Sequence, residues 1–328
     1  MTPLQKMKTM LSVKYHLLHE CWLFYIQLRK HNASVNSTNN LHKLQYLLLR
    51  ENHIIEKGLS MRNPRRGFGQ AKVLMLLTHL DEYVSKFISI DKDFLLYPFS
   101  TISHYIAYTK ETGIDISNIE RVFDELLAKA NCLRSSFSSN VGVRMESRVH
   151  IHAICNNSFE ALLYSRHSVR YFSQEMPSKD VLLHALQIAQ QTPSACNRQA
   201  WHTHIFTGAN NHALLKEQGG CKGFENEISC SILVTADMNA FLSYEIHQVY
   251  IDGGLYAMNL INALHSLGLG TIPLSCGFYS SKLQSIKCLF NIPDNEVLIL
   301  IIGVGILPDE FNVAISNRKN ISCTNSYH

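Results

Sequence analysis

No run in this sequence reaches the ~20 consecutive apolar residues that a membrane-crossing helix needs, so no membrane partner is expected. The start of the chain lacks the pattern of a secretory leader: Met7 to Tyr15 mixes lysines and hydroxyls where an unbroken apolar segment would be required. Cys-x-x-Cys never occurs among the nine cysteines, and the count is odd. Both facts argue against a zinc ribbon and a disulfide framework, and for a reducing cytoplasm. The seventeen histidines are scattered, with no pair four apart on a helical stretch, so no metal is expected. Charge is nearly balanced, 30 basic against 26 acidic residues for a net +4, which does not call for nucleic acid. No internal repeat is present.

What the chain does have is 328 residues with 46% hydrophobic content, enough for packed cores and more in keeping with two domains than one. Residues 3–30 carry Leu4, Met7, Leu11, Tyr15, Leu18, Trp22 and Tyr25 near one helical stripe. An Asn/Ser-rich loop is expected at 32–40. Helix resumes at 41–57 and stops at Gly58 as a C-cap. Further helices are expected at 69–89, 99–111 and 116–132. The spacing thus predicts an all-helical domain over 1–132, a serine-rich linker over 133–150, and a second domain over 151–328. There the pattern alternates: helices at 157–164, 178–191 and 244–267, strands at 202–207, 230–236 and 296–304, which indicates an α/β or α+β layer.

Two polar stretches bracket the helix at 178–191. The first, Arg166-His167-Ser168-Val169-Arg170-Tyr171-Phe172, offers two guanidiniums, an imidazole and a hydroxyl. Arginine forks take phosphate oxygens bidentately, and a hydroxyl adds a rotatable donor. The second, Thr192-Pro193-Ser194-Ala195-Cys196-Asn197-Arg198-Gln199-Ala200-Trp201, is a turn rich in amides, suited to a planar ring with mixed donors and acceptors at its edge. A long planar ligand with a phosphate tail could touch both. Without a ligand, the first stretch reads as a solvated basic loop and the second as an Asx-type turn.

Both stretches, in this order and spacing, resemble the opening and second motifs of the nitroreductase family of flavin enzymes. The resemblance covers about 155–320, roughly half the chain. Two later matches extend it. Asp252-Gly253-Gly254-Leu255-Tyr256-Ala257-Met258-Asn259-Leu260, leading to Leu267-Gly268-Leu269-Gly270, resembles the family's central helix at the core of its dimer. Pro273-Leu274-Ser275-Cys276-Gly277-Phe278 falls where the family's loop runs beside the flavin N5 edge. His167 and Ala200 stand where the family often has Arg and Pro.

The resemblance implies an α+β fold with a nitroreductase-like central mixed sheet flanked by helices. It implies FMN, with Arg166, Ser168, Arg170 and His167 toward the phosphate and ribityl chain, Ser194 and Asn197 toward the ring, and Leu274, Ser275 and Gly277 beside N5. Arg318 occupies the C-terminal basic position that closes on the phosphate. The implied activity is ping-pong hydride transfer from NADH or NADPH through FMN to an electron-poor small molecule, in a homodimer whose pocket is shared by both subunits. No catalytic side chain is assigned, because the substrate proton can come from water. Alternatives are an FMN-dependent dehydrogenase or oxidase of a biosynthetic intermediate, and a non-catalytic helical interaction protein on a flavin-fold scaffold. In the helical half, His53 with Glu56, and Arg62 with Arg65 and Arg66, are further candidates for a metal and an anion, with an ordinary polar helix face and a solvated turn as the simpler readings.

Overall fold

The computed structural model describes residues 3–31, 39–87, 92–132, 134–137 and 142–328. Most of the loop expected at 32–40 lies outside the described residues, as do Ser138 and Ser139 of the expected linker. The chain divides into two compact units, 1–26 with 146–311 and 27–145 with 312–328. Each terminus therefore joins the unit distant from it in sequence. The contacts responsible are specific: the Phe24 ring meets His247 with centroids 4.6 Å apart, and the Lys319 ammonium lies 4.4 Å from the Tyr46 ring centre.

After α1 (Pro3–His31), the helical unit is built from α2 (Leu41–Leu59), α3 (Gln70–Lys86), α4 (Lys92–Glu111) and α5 (Ser117–Lys129). Its core includes Leu44, Leu48, Leu76, Phe99, Tyr105 and Phe123. Gly58 is not the C-cap that the sequence suggests. The helix runs on to Leu59, and the Ser60 N–H closes it on the Glu56 carbonyl at 3.0 Å. Glycine is required at 58 for a different reason: a Cβ there would stand 2.1 Å from the Phe68 ring. The helix expected at 99–111 begins earlier, at Lys92, so that Pro98 sits inside α4, six residues after its start.

The second part of the chain carries β1 (Val143–Ser147) and β6 (Glu310–Ala314), which run across the boundaries at 145/146 and 311/312, and between them α6 (Arg148–Ile154), α7 (Phe159–Ser165), α8 (Lys179–Ala189), β2 (Trp201–Thr207), α9 (Gly208–Gln218), β3 (Cys230–Asp237), α10 (Gln248–Ser266), β4 (Leu269–Ser275), α11 (Ser280–Phe290) and β5 (Glu296–Ile306). β1 and the first three residues of α6 occupy what the sequence presents as linker. β1 pairs with β6 in a two-stranded ribbon, where the chain passes between the units. The main sheet has the order β2-β3-β5-β4. All three of its ladders are antiparallel. Its mixed character is confined to an isolated parallel bridge between Ser168 and Thr271.

The most buried helix, α10, packs on the sheet through Tyr256, Ala257, Leu260, Ile261 and Leu264, against Ile232, Val234, Ile302 and Val304. The two glycines in its second turn differ in purpose. A Cβ on Gly253 would come within 2.6 Å of Ile299, whereas one on Gly254 would meet nothing within 4 Å. Close approach therefore demands glycine at 253 alone. Gly253→Val should destabilise the unit by about 1–3 kcal/mol through overpacking, while Gly254→Ala should stabilise it by up to about 1 kcal/mol. Urea midpoints of the two variants moving in opposite directions would check the pair.

Candidate functional site

α10 ties the two sequence motifs together. Near its start, the Asp252 carboxyl is fully buried, accepts from the Ala195 N–H at 3.1 Å, and takes a second bond from Gln248 Nε2 at 2.8 Å. Midway along, Asn259 Nδ2 donates to Thr192 Oγ1 at 2.8 Å. At its end, His265 Nε2 pairs with Ser165 Oγ at 2.8 Å, one residue before Arg166. A rise of ~1.5 Å per residue separates Asp252 from His265 by roughly 20 Å along the axis.

The 194–199 turn is conformationally unusual. Cys196, Asn197 and Gln199 have φ of 52°, 55° and 48°. A left-handed backbone costs a non-glycine residue about 1–2 kcal/mol, less for Asn. Such strain persists only where the surroundings over-determine it. Here they do. Ser194 Oγ accepts from the Gln199 N–H at 2.9 Å, and Arg198 Nε donates to the Ala195 carbonyl at 2.9 Å. The Arg198 guanidinium then forks onto Glu245 at 2.8 and 2.7 Å, reaches the Ala240 carbonyl at 2.8 Å, and lies 4.8 Å from the Phe241 ring centre. The bond from Arg198 holds the Glu245 carboxyl down at a pKa of about 2. Arg198 is therefore a strut of the turn. The Asn197 Oδ1 is taken by Gln199 Nε2 at 3.1 Å, which leaves the exposed Asn197 amide N–H groups to donate.

The first motif leaves α7 and runs beside β4, where the Val169 N–H donates to the Thr271 carbonyl at 2.9 Å. Ser168 sits opposite Thr271 in the parallel bridge. The Thr271 hydroxyl is buried without a hydrogen-bond partner in the structure. Arg166, His167 and Ser168 are half-buried, while Arg170 is buried and its Nη1 lies 3.5 Å from the Ser168 carbonyl. His265 reports on this region. Burial first, and the charge of Arg166 second, push its pKa from 6.5 down to about 4. The folded state thus binds the proton less readily than the unfolded chain. Stability from this group is complete above pH 6.5 and is lost as pH falls from 6.5 through 4, by up to roughly 3 kcal/mol. A denaturation series over that window, flattened in His265→Gln, would verify it.

The segment expected as a loop beside N5 is largely strand. Pro273, Leu274 and Ser275 lie in β4 and pair with Ile302, Ile301 and Leu300. β4 is an edge strand, where proline is tolerated because no ladder N–H is needed on one side. Leu274 is buried, and the Gly277 N–H donates to Ser275 Oγ at 2.9 Å. Cys276 is a buried thiol pushed up to about 12 by burial, an inert group as its neighbours suggest. Arg318 lies on the tail that belongs to the helical unit, where its guanidinium donates to the Ser316 carbonyl.

Sequence reasoning did not assign roles to Asp252, Glu245 or His265. An acidic residue in an otherwise apolar helix start, as at Asp252, was the available signal. Of the candidates of the helical half, Glu56 with His53, and Arg66, are engaged within that half. The buried Glu56 carboxyl accepts from the Tyr97 hydroxyl at 2.7 Å, with His53 4.0 Å away. Arg66 donates to the Thr112 carbonyl. Among the described residues, no three His, Cys, Asp or Glu side chains cluster to hold a metal ion.

Residues 163–306 match the family model described as the nitroreductase family. They form a nitroreductase-family domain. The strained turn, the first motif and all of α10 fall within that match. An Archaeoglobus fulgidus protein named "Putative NADH dehydrogenase/NAD(P)H nitroreductase" is 27% identical over 153 residues, 45% of this chain and 85% of its own length. A crystal structure of a nitroreductase family protein from Streptococcus pneumoniae TIGR4 aligns with TM-score 0.44 and 21% identity, covering 52% of this chain and all of its own. An FMN-dependent nitroreductase from Clostridium difficile R20291 aligns with TM-score 0.40 and 19% identity, over 44% of this chain and 85% of its own. These relatives span about half of this chain or less, and the nitroreductase domain is that half.

Proposed function

We propose that this chain is an FMN-dependent oxidoreductase of nitroreductase type, taking hydride from NADH or NADPH and passing it to an electron-poor small molecule such as a nitro compound, a quinone or a specific metabolite. The observation that carries this reading is the 194–199 turn, held in a strained shape by Asp252 and Glu245. Strain of this kind, kept up by so many bonds, marks a segment shaped to meet a ligand.

The residues present fit the cofactor. Arg166 and Arg170 supply guanidiniums, and Ser168 a hydroxyl, for a phosphate. The unpartnered Thr271 hydroxyl lies beside them. Asn197 keeps its amide donors, and Ser194 its hydroxyl proton, for the carbonyls of a ring edge. When bound, FMN supplies the hydride chemistry; the protein orients it and stabilises charge on it. Leu274 contributes backbone and packing only, and Gly277 offers its carbonyl, since its N–H is engaged by Ser275. Arg318 would have to leave the Ser316 carbonyl to reach a phosphate.

A homodimer in the cytoplasm completes the proposal. The two motifs are held roughly 20 Å apart along α10, so a pocket that takes one motif from each protomer brings them onto one ligand. In support, α10 exposes Tyr250, Ile251, Leu255 and Met258 on its surface. The purified protein should be yellow, with flavin absorption that NADPH bleaches under anaerobic conditions. A colourless protein that takes up no added FMN would favour the scaffold reading instead. A screen of nitroaromatics, quinones and cellular metabolites as acceptors would then narrow the substrate.

A further inference from the structure

The basic turn that joins α2 to α3 lies outside the nitroreductase match, and the proposed flavin chemistry does not use it. Its first residues form one wall of a cleft of about 460 Å³. Leu59, Arg62, Asn63, His104, Tyr108 and Val143 line that cleft, and all of them belong to the helical unit. Pockets for small molecules commonly measure ~300–1,000 Å³ and combine apolar walls with a few placed polar groups. Leu59 and Val143 supply the apolar part here.

The wall is fixed rather than left to its own backbone. Arg66 donates to the Thr112 carbonyl at the end of α4. Tyr105 Oη donates to the Phe68 carbonyl at 2.5 Å, and Tyr108 Oη to the Pro64 carbonyl at 3.4 Å. The Phe68 ring packs against both tyrosines, with centroids 5.4 and 6.1 Å away, in the notch that Gly58 leaves open. On the opposite side, Gly142 has φ of 90°, and a Cβ there would stand 2.6 Å from His104 Nδ1. Only glycine lets the backbone close so far on the imidazole. Groups held in advance lose little freedom when a ligand arrives.

The charge says which ligand. Among the described residues, the lining carries a guanidinium and an imidazole and no carboxylate. Arg65 lies exposed in the same turn and adds charge of the same sign. A guanidinium takes two oxygens of a phosphate or carboxylate at once. The Asn63 amide and the imidazole add N–H donors beside it. We propose that this cleft binds a small dianion, a phosphomonoester or a dicarboxylate, with Arg62, His104 and Asn63 on the anionic groups and Leu59 and Val143 against the carbon body. The site is separate from the flavin motifs and does not rest on the flavin reading.

Calorimetric titration of the full chain, saturated with FMN and at fixed ionic strength, tests it with inorganic phosphate in one arm and succinate in the other. One saturable site is expected, and the tighter of the two anions assigns the head group. Arg62→Ala should weaken that site about 10- to 100-fold through lost charge-assisted bonds. Asn63→Asp, which sets a carboxylate in the cleft, should weaken it at least about 5-fold. Both side chains are exposed, so both variants should keep the parent urea midpoint. Absence of saturable binding for either anion, or equal affinity in the parent and both variants, would overturn the proposal. So would a site lost in Arg166→Ala and kept in Arg62→Ala, which would give the anion to the flavin motif. Flavin content is read separately: a colourless protein whose phosphate or succinate site weakens in Arg62→Ala would lose the redox proposal and keep this one.

Discussion

Asp252→Ala should collapse the 194–199 turn and cost the nitroreductase domain about 3–5 kcal/mol, read as a shift in the urea midpoint. The carboxyl accepts two hydrogen bonds, from the Ala195 N–H and from Gln248, in a site with no solvent exposure. Hydrogen bonds that involve a charged group are worth about 1.5–3 kcal/mol each, and donors left buried without partners add a penalty. The strain at Cys196, Asn197 and Gln199 would then have lost its main anchor to the core. Asp252→Asn keeps an acceptor of the same shape and should lose less than half as much. Flavin retention should fall with the turn in both variants, in the same order. If Asp252→Ala unfolded at the parent midpoint with full flavin content, α10 would not be what sets the turn.

Arg166→Ala should lower FMN affinity by about 10- to 100-fold, the loss of one or more charge-assisted bonds to phosphate. Arg166→Lys should fall between, because an ammonium keeps the charge but not the fork. A second readout separates a local effect from unfolding. The Arg166 charge is one of the causes that depress the His265 pKa, after burial. Its removal should therefore raise the His265 titration midpoint, measured by NMR, without restoring it to 6.5. Unchanged flavin content alongside a shifted His265 would leave Arg166 next to His265 but away from any phosphate.

The sequence was most legible where a pattern repeats or a segment is strongly apolar. The strand at Cys230–Asp237 and the helix at Lys179–Ala189 appear within one or two residues of where alternation and capping place them. Ser178 caps the latter by accepting from the Val181 N–H, a purely local event. The elements that escaped are those whose partners are remote. α9 and α11 are as long as α8 but start without a side-chain cap, α9 at a glycine. β4 carries Pro273 and two glycine neighbours, which read as a loop until β5 pairs with it. Gly58 reads as a helix stop because no local signal reveals the Phe68 ring that requires it.

For the site, the residue types were legible and their arrangement was not. The arginines of the first motif and the amides of the second are visible as chemistry in the sequence alone. That Arg198 braces the turn, forking onto Glu245, could not be read from a motif in which every polar residue looks equally available.

By itself, the sequence determined that the chain has a helical part and an α+β part, and that the latter carries nitroreductase motifs in their order. Helical and strand periodicity, caps and side-chain chemistry are properties of neighbours along the chain, so they survive without a fold. The tertiary structure alone decided which unit each terminus joins, why a strained turn persists at 194–199, and that Asp252 and His265 set the two motifs at opposite ends of α10. Those outcomes depend on contacts between residues 57 and 100 positions apart, and such separations leave no periodic trace in a sequence.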